Sequence, residues 1–220
     1  MTLPPPLLDV AERQVEQLTG SPLTPMWFRL IHPAARRPAG VPKVLTPHLY
    51  GAPADVWPQI AAAQASGYDV YVVPNAGGNT ARDITSIRAV WADKDGDKHG
   101  PAQCWQDVQW HTPPDFIVFR GDNTGRETIR QGNADNAALA DLTGGADCLS
   151  AAGLLSQDYF WHAYWRVADC PVAAFEAAQK RLAARYGSDP GVHDPSRVMR
   201  LAGTLHTKGE PRYVNLAWRT

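Results

Sequence analysis

Strand-like and helix-like segments alternate along this chain, which predicts an α/β or α+β fold. Three observations carry the assignment. Tyr68–Val73 (YDVYVV) and Ile87–Asp95 (IRAVWADKD) are rich in β-formers and flanked by turn residues. Ala173–Tyr186 places Phe175, Ala178, Leu182 and Arg185 at helical spacing. Neither an internal repeat nor a heptad interrupts this alternation.

In chain order, Pro4, Pro5 and Pro6 delay the first helix, which then fits residues 8–18 with Leu8, Val15 and Leu18 near one face. Residues 1–25 read as a peripheral segment and residues 26–220 as one domain. Met26–His32 fits a strand, followed by a loop rich in Pro, Arg and Gly. Ala54–Ser66 fits a helix, with Val56, Trp57, Ile60 and Ala63 on a stripe and Gly67 as its stop. The loop PNAGGNTARD separates the two strands named above. A short helix is expected near 101–109 and a strand at Phe116–Phe119. Residues 121–157 are rich in Gly, Asn and Asp and read as an insertion, with helical stretches near 134–142 and 150–155. His162–Val167 fits a strand, Ser196–Leu201 a helical turn, and VNLAW a final strand. The chain ends soon after it, the pattern of a fragment cut from a longer protein.

Composition narrows the function. The 220 residues carry a net charge of −1 with 20% charged and 44% hydrophobic residues, which disfavours wrapping nucleic acid through bulk charge but allows positive charge gathered in one cleft. Cys104, Cys148 and Cys170 form no CxxC pair, so reduced thiols and no structural zinc are expected. No signal peptide or membrane span is legible, and the expected location is cytoplasmic.

Three segments carry chemistry. Asp93 and Asp95 lie two apart at the end of an apolar strand and so project from one face. Two adjacent carboxylates repel unless a cation compensates them, and Mg²⁺ or Mn²⁺ suits oxygen ligands. The run DKDGD equally suits a solvated turn; as a calcium loop it fails, because the twelfth position from Asp93 is Cys104. In WHAYWRV, His162, Tyr164 and Arg166 share a strand face that could hold a phosphate or could pack as a buried aromatic strand. In HDPSRVMRL, Asp194 and Pro195 suit a helix start, with Arg197 and Arg200 on one helical face and His206 and Lys208 close behind.

In this order, AVWADKD, FWHAYWRV and DPSRVMRLAGTLHTKG resemble the motifs of the archaeo-eukaryotic primase superfamily, in its RepB-like branch from plasmids and phages. The similarity spans roughly residues 48–210. The resemblance implies an α+β core, with an RRM-like sheet and a second α/β module enclosing the active site in the cleft between them. It implies Asp93, Asp95 and Asp194 as metal-binding catalytic carboxylates for one or two Mg²⁺ or Mn²⁺ ions. It further implies His162, Arg197, Arg200 and Lys208 as the triphosphate clamp. Single-stranded DNA template and nucleoside triphosphates are the implied partners, with any helicase on another chain or a missing C-terminal part. Trp105, Trp110 and Tyr159 are candidates for stacking on template bases.

Three departures stand out. Lys94 separates the two aspartates where an apolar residue is commoner, and can point to the opposite face. Ala202 replaces a proline often found before the glycine, which should loosen that turn. Position 160 is Phe where the family's Ser-x-His pattern has serine. A non-catalytic replication-initiator module that binds single-stranded DNA is the alternative. A nuclease needs no cluster like Arg197, Arg200 and Lys208. A relaxase needs a His-x-His pair, and a P-loop helicase needs G-x-x-x-x-G-K-[ST]; neither occurs here.

Overall fold

A computed structural model describes residues 3–121 and 160–218. Every strand pair in it is antiparallel. One sheet has four strands in the order β2 (Val44–Gly51), β1 (Met26–Ile31), β3 (Asp69–Val72) and β9 (Met199–Arg200). The other has five, in the order β10 (Leu205–His206), β11 (Arg212–Trp218), β7 (Phe116–Arg120), β8 (Phe160–Arg166) and β6 (Ala89–Asp95). This mixed architecture is the α+β class.

The helices are α1 (Leu8–Thr19), α2 (Pro53–Ala65) and α3 (Val172–Tyr186). Strand β1 alternates buried and half-buried residues, as period-2 patterning dictates: Met26, Phe28 and Leu30 face the core. Helix α2 buries Val56, Ile60 and Ala63 as the stripe predicts, while Trp57 stays half-buried. Helix α3 turns Phe175, Gln179 and Ala183 inward, and Phe175 packs against Trp91 of β6. A single apolar cluster runs from Val70 and Val72 of one sheet to Val118 and Leu216 of the other, so the two sheets share a core.

Buried amides lock the loops that join the sheets. The Gln179 side chain accepts from Trp91 N (2.9 Å) and donates to the carbonyls of Trp91 and Val192. Asn75 donates to Pro195 O (2.9 Å) and accepts from Arg88 N. Each bond satisfies backbone that burial would otherwise leave unpaired.

Four expectations change. The N-terminal helix α1, expected in a peripheral segment, contributes to the core: Val10, Ala11 and Val15 are buried, and Leu7 N donates to Gly203 O (2.7 Å). The PNAGGNTARD loop is not irregular throughout, because it closes a small hairpin that pairs β4 (Ala76–Gly77) with β5 (Ile84–Ser86). The 101–109 helix shrinks to a 3-10 turn at Trp105–Asp107. Residues 196–201 form no helix, because Met199 and Arg200 leave a turn to pair with Val72 and Tyr71. The expected helices at 134–142 and 150–155 lie outside the described residues.

The Ala202 departure also has a structural answer. Its N–H donates to Gln14 Oε1 (2.6 Å), a bond that proline could not make, so α1 ties the turn down rather than leaving it loose. Gly203 beside it has φ +80°, and a Cβ there would stand 2.3 Å from Leu7 O. Only glycine fits that contact.

Candidate active site

The cleft between the two sheets has a volume of about 450 Å³. One wall is the five-stranded sheet. Asp93 of β6 lies directly opposite His162 of β8, and Asp95 opposite Phe160. Cross-strand partners share a face, and all four side chains line the cleft. His162 Nε2 is 3.4 Å from Asp93 Oδ1, while its Nδ1 is buried without a hydrogen-bond partner among the described residues. Burial pushes the Asp93 carboxyl up, but His162, Arg197 and Arg200 more than offset this and hold it below the ordinary carboxylate value. Tyr164 sits behind His162, its hydroxyl pushed well above the usual phenol range by burial and by the Asp93 charge. Asp95 pairs with Lys98 at the exposed end of the strand.

The opposite wall is basic. Arg197, Arg200 and Lys208 all line the cleft, with Tyr71 of β3 beside them. Arg197 and Lys208 are exposed. Arg200 is committed elsewhere as well: Nη1 donates to Asp69 Oδ2 (2.9 Å), and the guanidinium lies over the Tyr71 ring at 4.9 Å. Asp69 is 1% exposed and also accepts from Thr207 N and Oγ1. His206 follows on β10. Burial and the charges of Arg200, Arg120 and Lys208 lower its pKa to about 3, leaving a neutral imidazole.

Of the three aspartates expected to act together, Asp93 and Asp95 line the cleft. Asp194 is exposed and does not line the cleft. Its Oδ1 accepts from Ser196 N (2.8 Å) and Ser196 Oγ (2.9 Å), closing the turn that starts the basic wall. The carboxylate that shares the cleft with Asp93 and Asp95 is Asp189. Its backbone N donates to Asp93 O (2.8 Å) at the open edge of β6. Lys94 supports this seat from the other face, as its position between the aspartates predicts. It is 3% exposed, and Nζ donates to Gly187 O (2.8 Å), the left-handed C-cap of α3. A cation suits the negative end of a helix.

Sequence reading also missed Arg120 and Tyr71. Arg120 ends β7 and lies over the Phe160 ring at 4.2 Å, so position 160 offers an aromatic face where the family has a serine. Asp189 follows a helix stop directly, and no spacing rule distinguishes it from an ordinary turn residue. Of the stacking candidates, Trp105 is buried at 4% exposure, Trp110 packs among Trp161, Trp165 and Tyr186, and Tyr159 lies outside the described residues.

Three carboxylates on one cleft match a hard divalent cation in donor type. Their side chains are not gathered for it: no three His, Cys, Asp or Glu among the described residues form a group that could hold a metal ion. Asp95 is engaged by Lys98, and Asp189 Oδ1 accepts from Gly191 N (2.7 Å). No helix among the described residues is long and apolar enough to cross a membrane.

No family model and no curated protein matches the chain by sequence. Solved structures do. The archaeo-eukaryotic primase domain of the primase-polymerase from cyanophage S-2L superposes with a TM-score of 0.61 and 25% identity, covering 99% of this chain and 92% of that one. The primase RepB′ follows at a TM-score of 0.58 and 16% identity, covering 96% of this chain and 56% of that one. Its catalytic domain in complex with initiator DNA gives 0.55 at 16% identity, covering 96% and 84%. The chain therefore has the archaeo-eukaryotic primase-like α+β fold that these structures share.

Proposed function

We propose that the chain is a DNA primase or primase-polymerase catalytic domain, a nucleotidyltransferase that extends a strand on a single-stranded DNA template. The observation that carries this is the facing of an acidic wall, Asp93 and Asp95 with His162, by a basic wall, Arg197 and Lys208, across one cleft of a primase-like fold.

Asp93, Asp95 and Asp189 would hold one or two Mg²⁺ or Mn²⁺ ions once Lys98 releases Asp95. Such ions supply charge stabilisation at the reacting phosphate and activate the attacking 3′-hydroxyl. Arg197 and Lys208 bind the triphosphate from the exposed rim. Arg200, fixed by Asp69 and Tyr71, presents a preorganised edge to the same site. His162, held upright by Asp93, supports the phosphates from the acidic wall. Arg120 and Phe160 close the far end, where a flat sugar–base unit can lie against the ring. The work of the protein is positioning and electrostatics rather than covalent chemistry.

One observation favours a second reading. The Asp95–Lys98 pair, which occupies one of the cleft carboxylates, suits a non-catalytic replication-initiator module that kept the fold. Incorporation of labelled nucleotides on single-stranded DNA with Mg²⁺ or Mn²⁺, with and without a primer, separates the two. The catalytic reading predicts metal-dependent extension by the wild type. It also predicts a loss of at least about a hundredfold in Asp93→Asn with the melting temperature preserved, the scale of removing one preorganised electrostatic group. Wild-type protein that binds DNA yet incorporates nothing with either metal supports the initiator module.

A further inference from the structure

The outer face of the four-stranded sheet carries a row of side chains that leads away from the cleft. Strand register places them. Arg200 of β9, in the cleft wall, is opposite Tyr71 of β3, and Tyr71 is opposite Arg29 of β1. Two residues along β1 from Arg29 stands Trp27, opposite Tyr50 of β2. Residues two apart and cross-strand partners share a face, and Phe28, Leu30, Val70 and Val72 occupy the other, core-facing side.

The far end of the row is an aromatic pair, Tyr50 exposed and Trp27 half-buried. The Trp27 and Tyr50 rings are 4.7 Å apart at 37°, and Tyr50 is 56% exposed. No packing need among the described residues accounts for a large ring held out in this way. Trp27 is pinned from behind, its Nε1 donating to Gly77 O (3.1 Å), and Arg29 donates to Asn79 O of the same small hairpin. The pair is thus a held platform and not a loose surface residue.

The segment that builds the β1–β2 hairpin carries only positive charge. Residues 17–54, which build β1, β2 and the loop between them, contain Arg29, Arg36, Arg37 and Lys43 and not one Asp or Glu. Arg36, Arg37 and Lys43 are exposed. The one acidic residue in the four strands, Asp69, is buried and neutralised by Arg200. Asp55, just after β2, and Asp83, against Gly77 and Gly78 of the small hairpin, are exposed acidic residues that border this face, so the cationic track is Arg29 on the row and Arg36, Arg37 and Lys43 in the β1–β2 loop.

We infer that this face carries the single-stranded DNA template, with an unpaired base stacked on Tyr50 and Trp27 and the backbone following the cations of the β1–β2 region into the cleft at Tyr71. A stacking platform beside a cationic track is the arrangement that binds single strands without reading sequence. Duplex DNA hides its base faces and could use only the charge. The inference rests on the polymerase reading for the identity of the strand, but not for its binding.

The test is fluorescence anisotropy of a labelled oligo(dT) in EDTA, without nucleotide, so neither metal nor catalysis enters. Tyr50→Ala is expected to weaken binding by about tenfold, as loss of one stacked base does, while Tyr50→Phe keeps the affinity of the wild type. Tyr50 is exposed, so both variants should fold, and the melting temperature checks this. Unchanged affinity in Tyr50→Ala overturns the inference, as does duplex DNA of the same length competing as well as the single strand. If Tyr50→Ala binds normally while the wild type extends primers, the face is wrong and the polymerase stands. If Tyr50→Ala loses binding while the wild type extends nothing, the face stands and the polymerase reading fails.

Discussion

The two walls of the cleft are built differently. The acidic wall is regular sheet: Asp93, Asp95, Phe160 and His162 lie on paired strands whose register fixes which side chains face the cleft. The basic wall is a turn, a two-residue strand and a loop, held by side-chain bonds: Asp194 to Ser196 within the turn, and Arg200 and Thr207 to Asp69 across the sequence. A wall set by a backbone ladder should tolerate loss of a side-chain charge without unfolding. A wall set by side-chain bonds should not.

Arg200→Ala tests that contrast with the largest expected effect on stability. It strands Asp69 in the interior without its partner, and breaking a buried pair costs about 3 kcal/mol. For a domain of this size that lowers the melting temperature by roughly 6–12 °C. A stability change no larger than that of Asp93→Asn would erase the difference between the walls.

Arg197→Ala is the counterpart on the same wall. Arg197 is exposed and lines the cleft, and among the described residues no hydrogen bond or ion pair ties its guanidinium to the fold. Its loss should weaken nucleoside triphosphate binding by about tenfold, roughly 1.4 kcal/mol, with the melting temperature held. Isothermal titration with a triphosphate checks this. Equal affinity would remove Arg197 from the clamp.

Legibility in the sequence divides along the same line. Period-2 alternation placed Asp93 and Asp95 on one face, and the apolar runs located β1, β3, β6, β7 and β8, because pleat geometry is local. The basic wall was misjudged as a helical turn because i, i+3 spacing in RVMR also fits a turn feeding a short strand, and the pairing with Tyr71 is a tertiary choice. Asp194 is the third carboxylate that the resemblance implies, and in the fold its carboxylate closes the turn that opens the basic wall, the local role that Asp-Pro signals. Asp189 owes its place to the stop of α3 at Gly187, to Lys94 beneath it and to the free edge of β6. None of these is visible in a window of a few residues. The core role of α1 was hidden for the same reason, since its partners, Gly203 and Ala202, lie at the far end of the chain.

His206 offers the smallest and subtlest distinction. Its folded pKa of about 3 lies below the ordinary value of 6.5, so the unfolded chain takes up the proton first. The contribution to stability is complete above pH 6.5 and is lost as pH falls toward 3. Melting temperatures from about pH 7 to about pH 4 should decline less steeply in His206→Gln than in the wild type. Parallel slopes would mean that burial and the cations of the basic wall do not hold His206 neutral.

In the proposed polymerase, Asp93 and Asp95 act with Asp189 and not with Asp194. Metal-dependent nucleotide incorporation on single-stranded DNA by Asp189→Asn and Asp194→Asn, measured side by side with the wild type, tests it most directly. Extension by the wild type, near-complete loss in Asp189→Asn, and activity largely kept in Asp194→Asn with a melting temperature lowered by a few degrees are expected. Activity that survives in Asp189→Asn and disappears in Asp194→Asn would contradict it.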